Sequence, residues 1–119
     1  MTRYNQGYEL ERQTRAAFER DGFVVWRPGG SLGEADLVAA KPGPYLVLVQ
    51  VKRGDARLAD DWWNDLYRLA QWLRAIPVIA DKPSRGQLRL RRIVALHVPR
   101  GRAWPCEPFL LDTIGASGQ

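Results

Sequence analysis

Cysteine and histidine each occur once in the 119 residues, as Cys106 and His97. A single cysteine forms no internal disulfide and no cysteine-ligated zinc site, and its scarcity fits a reducing compartment. A single histidine leaves histidine-rich metal sites, and the Cys/His and Ser/His/Asp nucleophile arrangements, short of parts. No apolar run approaches the ~20 residues that a membrane-spanning helix needs. The stretch Met1–Arg20 is polar and charged, unlike a signal peptide, so no membrane partner is expected. Repeats and low-complexity segments are absent as well.

Lysine is scarce too: only Lys41, Lys52 and Lys82, so arginine supplies the rest of the 18 cations. The net charge of +5 and pI near 9.9 favour a polyanionic partner. Arginine suits phosphate through its planar, bidentate donors, although a GC-rich genome produces the same bias. Between Lys82 and Cys106 no Asp or Glu occurs, against the cations Lys82, Arg85, Arg89, Arg91, Arg92, Arg100 and Arg102. A stretch so free of acid reads as a nucleic-acid footprint.

Apolar spacing predicts a helix over Tyr8–Asp21, carried by Leu10, Thr14, Ala17 and Phe18 and stopped by Gly22. β-Branched runs predict strands over Phe23–Arg27, Ala35–Ala40 and Tyr45–Arg53, the last two forming a hairpin across the turn that starts at Lys41. A second helix is expected over Asp60–Ala75, with Trp62, Leu66, Leu69 and Leu73 on one stripe and Trp63, Tyr67 and Trp72 widening it. Further strands are expected over Pro77–Ala80 and Gln87–Val98. The order αβββαββ predicts an α/β fold, a central mixed sheet of about five strands flanked by helices. One domain is expected over 1–119, with a core of 7–98 and a C-terminal tail of 99–119.

Side chains alternate between faces along a strand, so Gln50 and Lys52 share a face with Leu46 and Leu48. The hairpin carries Asp36 beside the end of the next strand. Asp36, Gln50 and Lys52 therefore converge at one end of a sheet. Oxygen ligands beside a lysine suit a hard divalent cation and a water to be activated. An Asp36–Lys52 ion pair capping the sheet edge is the plainer reading of the same residues. Glu11, beside Leu10 on the first helix, either reaches this cluster or pairs with Arg15 one turn on. Arg27 and the run Gly29, Gly30, Ser31 and Gly33 add a cation, a hydroxyl and backbone amides near Asp36, without a Walker or dinucleotide pattern.

The ordered set Gly7-x3-Glu11-Arg12, Gly22-Phe23-Val24-Val25-x-Arg27-x3-Ser31, Asp36-Leu37-Val38-Ala39 and Val49-Gln50-Val51-Lys52 resembles the archaeal-type Holliday junction resolvases. These belong to the restriction-endonuclease-like PD-(D/E)xK nuclease superfamily. The resemblance runs from Gly7 to Val98 and is densest up to Arg53. It implies a restriction-endonuclease-like core and Mg²⁺, with Mn²⁺ able to substitute, held by Asp36, Gln50, the Val51 carbonyl and Glu11. Lys52 is implied to position the attacking water or steady the pentavalent phosphate. Arg12, Arg27 and Ser31 are implied on the DNA backbone at the scissile phosphate. Arg53 and, from the basic stretch, Arg89 and Arg91 extend that DNA-binding face.

Such resolvases cut opposed strands of a four-way junction as homodimers, so branched double-stranded DNA and a second copy are the implied partners. Trp62, Trp63, Trp72 and the tail Pro108-Phe109-Leu110-Leu111 are the candidate interface. The implied location is a prokaryotic cytoplasm, nucleoid-associated or virus-encoded. Gln50 departs from the glutamate usual at this position, which removes a full negative charge and weakens Mg²⁺ binding. Gln-x-Lys also suits a virus-type replication-repair nuclease acting on flaps or single strands, or a DNA-junction-binding protein without activity.

Overall fold

Leu10, Thr14 and Phe18 lie on one helical stripe, and all three are buried in helix α1 (Arg3–Arg20). The computed structural model describes residues 3–30, 32–43, 45–52, 60–83, 86–98 and 104–111, with residues 3–7 and 60 by backbone alone. The Thr14 hydroxyl is satisfied inside the core by donating to the Leu10 carbonyl at 2.7 Å. Helix α1 ends in a Schellman cap: the Phe23 N–H donates to the Phe18 carbonyl (3.1 Å) and the Gly22 N–H to the Glu19 carbonyl (3.0 Å). Gly22 holds the left-handed conformation this requires, at φ 93°.

Six strands follow, three on each side of helix α2 (Asp60–Leu73): β1 (Val24–Trp26), β2 (Leu37–Lys41), β3 (Tyr45–Lys52), β4 (Ile76–Asp81), β5 (Arg89–Ile93) and β6 (Cys106–Pro108). They lie in one sheet in chain order. Every neighbour is antiparallel except β3 and β4, which α2 joins in parallel. Parity then decides the layers. Val47 and Val49 face α1 with Phe18, Leu37, Val78 and Phe109, while Leu48 faces α2 with Val38, Ile79, Trp63 and Leu66. Strand β3 is covered on both faces, which is why it reads as an unbroken apolar run before Gln50.

The α/β class and the central mixed sheet are as expected, but the sheet has six strands. The sixth, β6, comes from the stretch expected to be a tail, and Phe109 beyond it stacks on Phe18 at 6.2 Å between ring centroids. Strand β5 stops at Ile93 rather than Val98: the Val94 N–H still donates to the Pro105 carbonyl at 2.9 Å, but from Ala95 on the backbone groups bond to α2 side chains instead of a strand. The Trp63 indole donates to the Ala95 carbonyl, and the Asn64 amide bonds both the N–H and the carbonyl of His97. Trp62 and Trp63 are core residues, 7% and 0% exposed, not surface candidates. A six-stranded sheet offers the area to bury both indoles. Trp72, 80% exposed, and Leu110, 62% exposed, do face solvent. No helix among the described residues is long and apolar enough to cross a membrane.

Candidate active site

Strands β2 and β3 pair with Leu37 opposite Val49, so Asp36 meets Gln50 at the next rung. The Asp36 N–H donates to the Val49 carbonyl at 2.8 Å, and the Val51 N–H donates to Asp36 Oδ2 at 2.8 Å. The carboxylate thereby takes the place of a strand partner just beyond the end of β2. Backbone groups of alternate residues face the same neighbouring strand, so the Val51 carbonyl is directed toward β2 as Val49's is. Burial pushes the Asp36 carboxyl above the ordinary aspartate range. The Val51 N–H opposes that rise, and Lys52 and Arg27 do so more weakly.

Gln50 is 7% exposed beneath the α2 layer, and its Oε1 accepts no hydrogen bond among the described residues. A buried amide oxygen without a donor is costly, by about 1–3 kcal/mol, and needs a reason. Lys52 stands two residues on, with its Nζ 4.5 Å from the centroid of the Trp62 ring. That cation–π contact holds the ammonium on the α2 face. Lys52 and Asp36 make no direct ion pair; the lysine acts on the carboxylate through space.

Glu11 reaches the cluster from α1. It pairs with Arg27 at 2.8 Å, while Arg15 turns instead to Glu19 and the Val25 carbonyl. Burial raises the Glu11 carboxyl; Arg27 opposes the rise and the nearby Asp36 charge adds to it. Asp36, Gln50, Lys52 and Glu11 are thus brought together, with Arg27 at their edge. Arg12 lies outside this group, exposed and paired with Glu9 one turn earlier. Ser31 and Arg53 lie outside the described residues.

Arg89 and Arg91 project from β5 on the same face as Lys52, but they are not isolated cations. Arg89 grips Asp81 through Nε (2.9 Å) and Nη2 (2.7 Å), and Arg91 adds Nη2 at 3.0 Å. The acid-free stretch is therefore partly neutralised by an acid lying just ahead of it. Neither the Asp81 grip nor the contact of Trp62 with Lys52 is among the features expected from the sequence. A signal for Asp81 existed: it ends the apolar run Ile76–Ala80 with a polar residue, much as Lys52 ends β3.

Among the described residues no three His, Cys, Asp or Glu side chains come together as a metal cluster. A cation here would rely on neutral oxygens beside Asp36. The unpartnered Gln50 Oε1 is one such oxygen and the Val51 carbonyl another, a set that a hard divalent ion fits.

Neither a scan against family models nor a search of curated proteins finds a match. A search of solved structures does. Hjc from Archaeoglobus fulgidus, a Holliday junction resolvase of an archaeal hyperthermophile, superposes with a TM-score of 0.60. The match has 25% sequence identity and covers 71% of this chain and 70% of that one. The fold is that of an archaeal Holliday junction resolvase. Within that resolvase fold, Asp36, Gln50 and Lys52 lie at the open end of the β2–β3 hairpin, Gln50 buried and the other two half-buried.

Proposed function

We propose that this chain is a metal-dependent endodeoxyribonuclease that resolves four-way DNA junctions as a homodimer. One observation carries the proposal: Asp36, Gln50 and Lys52 converge at the hairpin end, with a buried Gln50 oxygen that no donor among the described residues satisfies. The likeness to an archaeal resolvase supports the substrate class.

Asp36, Gln50 Oε1, the Val51 carbonyl and Glu11 would hold Mg²⁺ or Mn²⁺, which when bound polarises the phosphate and acidifies a water. Lys52, restrained by Trp62, orients the attacking water and offsets the charge that builds on the phosphoryl oxygens. The water oxygen bonds to phosphorus as the P–O3′ bond breaks, leaving a 5′-phosphate and a 3′-hydroxyl. Arg27 and Arg12, both exposed, contact backbone phosphates and carry no base information. A twofold dimer sets two such sites at a fixed separation for paired cuts.

The test is cleavage of a synthetic four-way junction against linear duplex and flap DNA, with Mg²⁺ omitted and restored. Paired nicks in the junction arms that require metal are the expected result. Cleavage by Asp36→Ala or Lys52→Ala at the unsubstituted rate overturns the assignment. Flap cutting in preference to junctions would make the chain a replication-repair nuclease. Gln50 supports one other reading, a junction-binding protein without activity, since among the described residues Asp36 and Glu11 are the acids that meet at the site. Tight junction binding with no cleavage in either metal, unaltered by Asp36→Ala, would decide for it.

A further inference from the structure

Three positions on neighbouring strands lie in a row on the α2 face. Lys52 of β3 pairs with Asp81 of β4, and Asp81 pairs with Arg89 of β5. Directly paired positions point to the same face, and neighbouring strands are about 4.8 Å apart. Arg89 therefore stands two strand spacings, or about 10 Å, from Lys52.

The Asp81 side chain is 10% exposed, whereas Arg89 is 47% exposed. Arg89 commits one edge, Nε and Nη2, to the two carboxylate oxygens at 2.9 and 2.7 Å. A guanidinium carries five donors in a planar fork, so this grip leaves the Nη1 edge uncommitted among the described residues, on a side chain that is half-exposed. Arg91 braces the same carboxylate at 3.0 Å, with its own Nε buried and without an acceptor among the described residues. Two arginines on one aspartate leave a net positive charge, and an orphaned donor is not what stability alone would select.

We propose that Asp81 is a positioning residue: it fixes Arg89 as a phosphate clamp on the DNA strand, one step along the backbone from the phosphate at Lys52. The proposal rests on the DNA-cleaving reading and adds to it the residue that orders its flanking contact. A long arginine held in place by a carboxylate loses little further freedom when it meets a phosphate, so the grip converts directly into affinity.

Charge alone predicts the opposite sign. Removing an acid from a DNA-facing surface should tighten DNA binding. The experiment is fluorescence anisotropy of a labelled four-way junction without divalent metal, across a salt series, with the full chain, Asp81→Asn, Arg89→Gln and the double substitution. Asp81→Asn is expected to weaken binding roughly tenfold, the scale of a single charge-assisted contact, and to flatten the salt slope by about one, as Arg89→Gln does. The double substitution is expected to be no weaker than Arg89→Gln alone. In cleavage assays the loss falls mainly on KM rather than kcat, a split that general loss of structure would not produce.

Asp81→Glu keeps the charge and displaces the carboxylate by one methylene. It covers the case in which Asp81→Asn fails to fold, and it should also lose affinity. Binding by Asp81→Asn or Asp81→Glu at or above the unsubstituted affinity, or additive losses in the double substitution, overturns the proposal. So does an unsubstituted chain that binds no DNA. Asp81-dependent binding with no metal-dependent cleavage would sink the nuclease reading and leave this inference standing.

Discussion

Asp36 serves the site at a cost to the fold. Burial raises its carboxyl above the ordinary value, so the folded protein holds the charged form less readily than the unfolded chain does. The associated stability is present below the unfolded aspartate range and is lost as pH rises through the raised folded value. Asp36→Asn keeps the shape and removes the charge. It is expected to abolish cleavage yet raise Tm near neutral pH by roughly 1–4 °C, read by thermal melts. Mg²⁺ must displace the proton from this carboxyl, so Mg²⁺ binding by the unsubstituted chain should weaken on the acid side at a pH above that of an ordinary aspartate. Titration calorimetry across a pH series checks this. At Gln50, the Glu substitution places a second carboxylate beside Asp36. Without metal, Gln50→Glu should melt at a lower temperature than the unsubstituted chain. With Mg²⁺ it should recover, and titration calorimetry should show tighter Mg²⁺ binding. Unchanged Mg²⁺ affinity would remove Gln50 from the ligand set.

Both helices close with the same cap, but with different residues at the left-handed position. In α2 the Ala75 N–H donates to the Ala70 carbonyl at 2.7 Å, and Arg74 occupies the cap at φ 56°. A side chain there costs about 1 kcal/mol that glycine does not. Arg74→Gly is expected to raise Tm by about 4 °C in thermal melts, because it relieves that cost. At the other end of the molecule, Phe109 is 9% exposed and follows β6 into the α1 layer. Phe109→Ala should destabilise the protein by ~3 kcal/mol in urea unfolding, as a core aromatic does. A residue in a dispensable tail would change stability by well under 1 kcal/mol.

Across the whole molecule, the charge of +5 is unevenly placed. Arg27 answers Glu11, Arg12 answers Glu9, and Arg89 with Arg91 answers Asp81, so these four cations are already oriented by acids. Binding to DNA should therefore come from a few fixed contacts. With roughly five phosphates engaged, log affinity is expected to fall with log salt at a slope of about −4 to −5. Junction and duplex should share that slope and differ in its offset, because shape and not base sequence separates them. Anisotropy titrations at several salt concentrations measure both quantities.

Local periodicity made a large share of this legible. The 3.6-residue spacing marked both helices, and the two-residue alternation put Gln50 and Lys52 on one face with Leu48. The turn that starts at Lys41 brought Asp36 beside them, since a hairpin fixes its own register over a few residues. Pairing between segments distant in the chain has no such local signature. Whether Cys106–Pro108 joins the sheet, whether Trp62 and Trp63 find room beneath it, and which acid meets Arg89 all depend on strands that meet only once the chain has closed. The sequence by itself determined the α/β class and the meeting of Asp36, Gln50 and Lys52, because neighbours in the chain enforce them. Only the tertiary structure decided the sixth strand, the buried tryptophans and the Asp81 grip, because each is a contact between elements whose order in space the chain does not spell out.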